Sequence, residues 1–502
     1  MRQLLILFYA WILEVYRKPL MFSNRTMYLL FIPGVNRLRD FNAKARAYAE
    51  FIKARRRVPA YRAFLDSQGF SKPSFKGLIP NMHEVPITDK LNYVKVYTMD
   101  ERCVGGKMPT KNVIIDESSG SSGKATNWAR GKKERQRNAK FIQFGVRNLF
   151  GSEPLFVINA FALGPWATGV NVTMGCVAFS KLKSLGPDKQ KIENTILQFG
   201  PEHKYVIMGY PPFLKLLVDN AEIDWHAYNV SMIFGGESMT EGMRDYLIAK
   251  GIRKIYSSLG ASDLELNISA ESDFTISIRR LIRSNEAFRK RITKHPGALP
   301  MLFQFNPADF LIETTDAGEL VITIGRPGYI APKIRYNIHD RGHVLSLKEL
   351  YQIMDELKID RNEIFPPQTD LPILLHYGRA DSTVSFFGAN ISPTDIQETI
   401  YNSDVFSSLV NSFCISTHED ETGEKQLMIS LELQPGLSQD TIDVEKLQPL
   451  FYDQLASTNQ DFREARRMAN KQNQCILQFH AFQQGPFHDR DIRIKANYFQ
   501  KN

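Results

Sequence analysis

Ser118 to Thr126, read as Ser-Ser-Gly-Ser-Ser-Gly-Lys-Ala-Thr, carries the densest set of anion-binding groups in the chain. Two glycines, four serines, one threonine and Lys124 directly follow the apolar strand candidate Asn112–Asp116. A loop this rich in backbone N–H groups and hydroxyls, with one fixed cation, can wrap phosphate oxygens. It is not a Walker A loop, which needs Gly where Ser118 stands and Ser or Thr where Ala125 stands. Taken alone, such a run is more often a surface turn than a phosphate site.

The motifs that follow change that weighting. Phe234-Gly235-Gly236-Glu237-Ser238 closes a strand and opens a helix. Leu259-Gly260-Ala261-Ser262-Asp263 comes after another strand, followed by Arg335-Tyr336-Asn337-Ile338-His339-Asp340 and Gly378-Arg379-Ala380-Asp381. In this order they resemble the adenylate-forming (AMP-binding) superfamily of acyl-CoA synthetases and peptide-synthetase adenylation domains. Within it the match is to the phenylacetate–CoA ligase-like branch, whose phosphate loop S-S-G-T-T-G-K-P-T is close to Ser119 through Thr126. The resemblance runs in ordered pieces over about residues 50 to 400.

The resemblance implies a residue-by-residue assignment. Ser119, Gly120, Ser121, Ser122, Gly123 and Lys124 would hold the β- and γ-phosphates of ATP, the glycines permitting the turn. Gly235, Gly236 and Glu237 would lie beside adenine and the acyl pocket. Where the family has Tyr-Gly-x-Thr-Glu, this chain has Leu259, Gly260, Ser262 and Asp263. Ser262 keeps the hydroxyl for the α-phosphate, and Asp263 keeps a hard oxygen ligand for Mg²⁺ on a shorter arm. Leu259 exchanges an aromatic stack on adenine for aliphatic packing. Glu265 is the alternative metal ligand. Asp340 would accept the ribose hydroxyls, Arg379 would assist at ribose or phosphate, and Asp381 falls at the hinge. Gly388 opens the loop lining the pantetheine tunnel. Lys495 matches the C-terminal lysine of adenylation by position, without the usual Gly-Lys pair and with Arg493 and Lys501 as competitors.

The implied activity is ATP- and Mg²⁺-dependent conversion of a small carboxylic acid to an acyl-adenylate, then transfer to the thiol of CoA or of phosphopantetheine on an acyl or peptidyl carrier protein. Two alternatives stay open: a ligase of the same fold passing the acyl group to an amine or protein, and a non-catalytic relative that binds nucleotide. Neither the acid nor the oligomeric state can be read from the chain.

These residues need elements to position them. Short β-rich runs at Val113–Ile115, Leu155–Ile158, Tyr205–Met208, Met232–Phe234 and Lys254–Tyr256 alternate with helical patterns at Lys132–Leu149, Asp188–Phe199, Pro211–Asn220 and Thr240–Ala249. Such alternation argues for α/β layers with mainly parallel strands. After about residue 300, pairs such as Asp309–Glu313 and Glu319–Ile324 suggest a β-rich subdomain, and a small α+β unit begins near Arg379. The expected organisation is a helical extension over 1–70, a large adenylate-forming domain over 71–378 and a small mobile domain over 379–502.

With 502 residues, 43% apolar and 23% charged, the chain has the composition of a folded globular protein. The net charge of +9 favours phosphate-bearing, acidic or lipid partners without establishing nucleic-acid binding, and none is expected. Cys103, Cys176, Cys414 and Cys475 lie far apart, as expected of reduced buried thiols in a cytoplasmic protein. Leu4–Leu13 is wholly apolar but ten residues cannot span a bilayer. Residues 1–35 read as an amphipathic extension that packs on the protein itself, with peripheral membrane contact as the second reading. Seven basic residues between Arg279 and Lys294 make a solvated face or a dock for an acidic carrier or the CoA 3′-phosphate. Phe161, Trp166 and Phe234 are candidates for an acyl pocket, although aromatics beside strand ends are more often core.

Overall fold

Proline and helix-terminal charge set the first elements. In the computed structural model, α1 (Arg2–Leu20) is followed by α2 (Asn36–Arg57), whose last turn carries Arg55, Arg56 and Arg57 against its carbonyl end. The helix ends at Val58, because the following proline confines that residue to extended backbone. Pro59 then opens the helix Pro59–Ser67, where its missing N–H costs nothing. The structure describes all residues except 119–125, 165, 237, 240, 295–298, 380–383, 387–388, 392–394, 397–398, 401–402, 420–424, 470–474 and 489–502.

The chain divides into two units. Unit 1 comprises Met1–Glu117, Asn127–Ser184 and Tyr256–Ala380; unit 2 comprises Ser118–Thr126, Leu185–Ile255 and Asp381–Asn502. Residues 1–70, expected as an extension, fall within unit 1 and share its core: Ile6, Tyr48, Phe51, Tyr61 and Phe64 pack in one cluster with Trp128, Phe310 and Tyr336.

The strands β1 (Val113–Ser118) and β2 (Thr126–Gly131), neighbours in a two-stranded sheet, lead into α3 (Lys132–Phe150) of unit 1, whose Glu134 accepts from the Gly131 N–H at 3.2 Å as an N-terminal cap. The principal sheet of this unit runs in the order Phe310–Thr314, Glu319–Ile324, β4 (Tyr336–Leu345), β5 (Ile373–Arg379), Met301–Phe305, Ser269–Ala270 and β3 (Ile255–Leu259). Every neighbouring pair in that series is antiparallel. This series follows the strand pairs expected after about residue 300; among the runs expected to be mainly parallel, Leu155–Asn159 pairs in parallel with Lys181–Ser184, while β3 pairs antiparallel with Ser269–Ala270. The result is a mixed α/β fold, as expected.

Unit 2 pairs Lys204–Gly209 in parallel with Asn229–Phe234, with the helices Lys189–Phe199, Pro211–Asn220 and Glu241–Ala249 before, between and after them. Its C-terminal part sets Val410–Glu419 antiparallel to Lys425–Leu433, which runs parallel to Cys475–His480. Phe413, Ile429, Leu431, Phe451 and Leu477 form the core of that sheet. All four cysteines are buried.

The N-terminal helices are fixed to unit 1 by a buried ion network. Arg17 Nη2 lies 2.7 Å, Arg46 Nη2 3.5 Å and Arg326 Nε 3.6 Å from Asp309 Oδ1, while Glu14 bridges Arg46 at 3.2 Å and Arg137 at 2.6 Å. Burial alone would raise the Asp309 carboxyl, but Arg17, Arg326 and Arg46 outweigh it and hold the group far below its ordinary range. Its folded-state pKa is therefore below the unfolded value of about 3.9, so its contribution is complete above that pH and is lost as pH falls toward the folded value. Thermal unfolding midpoints measured below about pH 4 should fall more steeply in the wild type than in Asp309→Asn; parallel curves would show that the network does not couple to folding.

Candidate active site

The residues singled out by sequence divide between the units. Leu259, Gly260, Ser262, Asp263, Glu265, Asp340 and Arg379 belong to unit 1, and Gly235 and Gly236 to unit 2. Ser119, Gly120, Ser121, Ser122, Gly123, Lys124, Glu237, Asp381, Gly388 and Lys495 lie outside the described residues. Lys124 falls between β1 and β2 in sequence. Gly236 follows the strand Asn229–Phe234 at φ +85°, and a Cβ there would stand 2.5 Å from the Tyr210 ring, so only glycine fits.

The turn after β3 is built around a buried arginine. Ala261 N–H donates to Glu265 O at 2.9 Å and Leu264 N–H to Ala261 O at 2.9 Å. Gly260 sits so close to Leu266 that a Cβ would lie 2.4 Å from its carbonyl oxygen. Arg130, on β2, donates to the carbonyls of Ser262 and Leu264 and thereby holds the turn on both sides of Asp263. Its charge is balanced by Asp116 and Glu134, each at 3.3 Å, and by Glu265 nearby. Burial would lower the Arg130 guanidinium, but Glu134, Glu265 and Asp116 more than restore it. Burial and the neighbouring Glu265 push the Glu134 carboxyl up to about 7 despite Arg130.

The two candidate metal ligands have different surroundings. Glu265 is buried, and both its oxygens are engaged: one accepts from the Tyr329 hydroxyl, the other from the Leu266 N–H at 3.1 Å. Asp263 is half-buried. Its Oδ2 accepts from the Tyr336 hydroxyl at 2.9 Å, and its other oxygen takes no hydrogen bond from a described residue. Burial and the facing Asp263 carboxylate raise the Tyr336 hydroxyl well above its ordinary range, so it remains a donor.

Lys333, which sequence reasoning did not single out, completes this corner. Its ammonium stands 3.6 Å from the centre of the Trp128 ring and 5.3 Å from that of Tyr336, and it has no hydrogen-bond partner among the described residues. Burial, Arg130 and Arg102 lower the amine well below its ordinary range, against the opposing pull of Asp263 and Glu134. Trp128 also receives Arg102 on its ring at 5.6 Å and meets Tyr336 edge-on. The available signal was the position of Lys333 three residues before Tyr336, but nothing in the residue types alone marks it as buried.

Asp340 and Arg379 stand directly opposite each other on β4 and β5, and Asp340 Oδ2 lies 2.9 Å from His376 Nε2. The segment leading to Asp340 is strained: Arg335 and His339 have φ of +43° and +58°. Arg335 is kept in place by Glu313 at 3.0 Å and by the carbonyls of His83 and Val85. The bonds of Thr88 N–H to Arg335 O at 3.0 Å and of Asn337 N–H to Thr88 O at 2.8 Å tie the other side. Of the remaining candidates, Phe161 and Phe234 are core residues, and within the basic run Arg279 turns inward to the Pro300 carbonyl. Lys290 and Arg291 pair with Glu286 and Glu356. Among the described residues no group of three or more His, Cys, Asp or Glu could hold a metal ion.

No family model matches the chain, and no curated protein matches its sequence. Solved structures do match it. A 2-hydroxyisobutyryl-CoA ligase in complex with 2-HIB-AMP and CoA in the thioesterification state aligns with a TM-score of 0.67 at 14% identity, covering 94% of this chain and 90% of that one. An open conformation of the same ligase with the same two compounds aligns at 0.54 and 13% identity, covering 94% and 93%. The chain therefore has the fold of these CoA ligases.

Proposed function

We propose that this protein activates a carboxylic acid with ATP, forming an acyl-adenylate and pyrophosphate, and transfers the acyl group to the thiol of CoA or of carrier-bound phosphopantetheine, in the manner of a phenylacetate–CoA ligase. The observation that carries the reading is the bond between Tyr336 and Asp263. It joins two segments 73 residues apart in sequence, both among the ordered motifs on which the resemblance rests, on a fold whose solved counterparts hold an acyl-AMP and CoA.

In the first step a carboxylate oxygen forms a bond to the α-phosphorus of ATP and pyrophosphate leaves with the bonding pair. A carboxylate is a weak nucleophile, so the residues act by positioning and by cancelling charge. Lys124 and the hydroxyls of Ser119, Ser121 and Ser122 hold the leaving phosphates, Ser262 meets the α-phosphate, and Asp340 with Arg379 fixes the ribose. Lys495 bridges carboxylate and α-phosphate. Asp263, with one oxygen uncommitted, would hold a Mg²⁺ ion; Glu265, with both oxygens engaged, would not. Bound there, Mg²⁺ would neutralise phosphate charge. In the second step, after a rotation about Asp381 that withdraws Lys495, the thiol gives its proton to solvent, its sulfur bonds to the acyl carbon, and AMP leaves with the electron pair of the broken acyl C–O bond.

The test is carboxylate-dependent ATP–pyrophosphate exchange over a panel of aryl, fatty and amino acids, with Lys124→Ala as the control. Exchange with one class of acid, reduced on the order of 10²–10³-fold in the variant, is expected. Absence of exchange with every acid, while nucleotide binding persists, would overturn the proposal in favour of a non-catalytic relative.

A further inference from the structure

We infer that α1 and the segment after it form a docking surface for an anionic lipid bilayer, with the helix lying flat among the headgroups. This inference does not rest on the ligase reading. At about 100° per residue, Trp11, Leu4, Val15, Phe8, Leu5 and Tyr16 occupy a continuous arc of about 140°. All six are between 45% and 71% exposed, and no charged residue of α1 falls within the arc. Lys18 stands at one edge of it and Arg2 at the other, both exposed.

The opposite face explains why so much apolar surface stays outside. Ile6 and Ala10 are buried, Tyr9 Oη donates to Asn42 Oδ1 at 2.6 Å, and Arg17 and Glu14 are committed to the Asp309 and Arg46 network. Rotating the helix to hide its arc would uncover those charges, so the exposed face is fixed by the buried one. The expectation that residues 1–35 pack on the protein itself thus holds for one face only. In the segment after α1, Phe22, which is 88% exposed, Leu29 and Ile32 are further exposed apolar side chains. Exposed patches of this kind mark interaction surfaces.

Charge selects the occupant. Glu14 is the one acid in residues 1–39, and it is engaged by Arg46 and Arg137. The exposed charges there, Arg2, Lys18, Arg25 and Arg37, are all basic. The acids at the far end of the segment are engaged, Asp370 by the Gly34 N–H and Asn36, and Asp40 by Lys44, so two copies of this face brought together would set Arg2, Lys18 and Arg25 of α1 and the turn after it against each other, whereas anionic headgroups complement them and the acyl boundary takes the aromatic arc. The 19-residue α1, about 28 Å long, lies along the surface, since among the described residues no helix is long and apolar enough to cross a membrane.

The experiment is co-sedimentation of the full chain with vesicles of phosphatidylcholine containing one-third phosphatidylserine and with vesicles of phosphatidylcholine alone. Binding to the mixed vesicles is expected, weakened by salt, and reduced about tenfold or more both in F8Q/W11Q and in R2Q/K18Q/R25Q, each with the wild-type unfolding midpoint. Equal binding by wild type and both variants, no binding to either vesicle, or a concentration-dependent dimer abolished by F8Q/W11Q without vesicle binding would each overturn the inference.

Discussion

Arg130→Met should lower the thermal unfolding midpoint by about 6–20 °C at pH 8 and by much less near pH 5. Arg130 is the cation shared by Asp116, Glu134 and Glu265, and the clamp on the Ser262 and Leu264 carbonyls. Removing one partner of a buried ion cluster leaves the others uncompensated, at a cost of about 3–5 kcal/mol, and each kcal/mol moves the midpoint of a large domain by about 2–4 °C. The pH dependence follows from the carboxyls left behind. Glu134 already titrates near 7 with Arg130 present, above the unfolded value of about 4.3. Folding therefore takes up a proton between those values, and stability falls as pH rises through that window. Without Arg130, Glu134 and Asp116 lose the charge that favours their ionised forms, so the decline with pH steepens, while near pH 5 a protonated Glu134 leaves less repulsion in the cluster. Differential scanning fluorimetry across that range checks both parts. A deficit independent of pH would mean that Arg130 acts through the two carbonyls alone, and wild-type stability would dismiss the cluster.

The reading from sequence succeeded where the information is local. The helix Pro211–Asn220 and the strand Glu319–Ile324 were read with their observed bounds because proline, apolar spacing and flanking polar residues mark them within a few positions. It failed where the deciding partner is remote. Strand direction is not encoded in a short apolar run, so the antiparallel pairing of β3 with Ser269–Ala270, which joins it to the β-rich series, was not visible. Arg17 and Asp309 are 292 residues apart, and without that pair residues 1–70 look like an appendage rather than part of a core. In the site, the residue types of Leu259–Asp263 and Arg335–Asp340 were legible in order and spacing. That Arg130 clamps one, and that Lys333 lies against the ring of Trp128 beside the other, depends on burial that no local pattern reports.

Asp263→Asn should cut kcat/KM for pyrophosphate exchange by on the order of 10²–10³-fold, with a raised Mg²⁺ requirement and an unfolding midpoint close to that of the wild type. The amide oxygen of the variant can still accept from the Tyr336 hydroxyl, so the link between the two motifs survives while the charge is lost. Glu265→Gln should do the reverse. Its carboxylate is engaged by Tyr329 and the Leu266 N–H beside Arg130, so the variant loses stability while the exchange rate per folded molecule stays within a few-fold of the wild type. The contrast decides between the two acids that sequence alone left open. If Glu265→Gln keeps its midpoint and loses exchange, the metal belongs to Glu265 and the turn must open far enough to release Tyr329. If Asp263→Asn exchanges at the wild-type rate, Asp263 serves Tyr336 and Lys333 instead: it is the half-buried anion that draws the buried amine back toward its charged form, and Lys333→Met should then restore stability in the Asp263→Asn background.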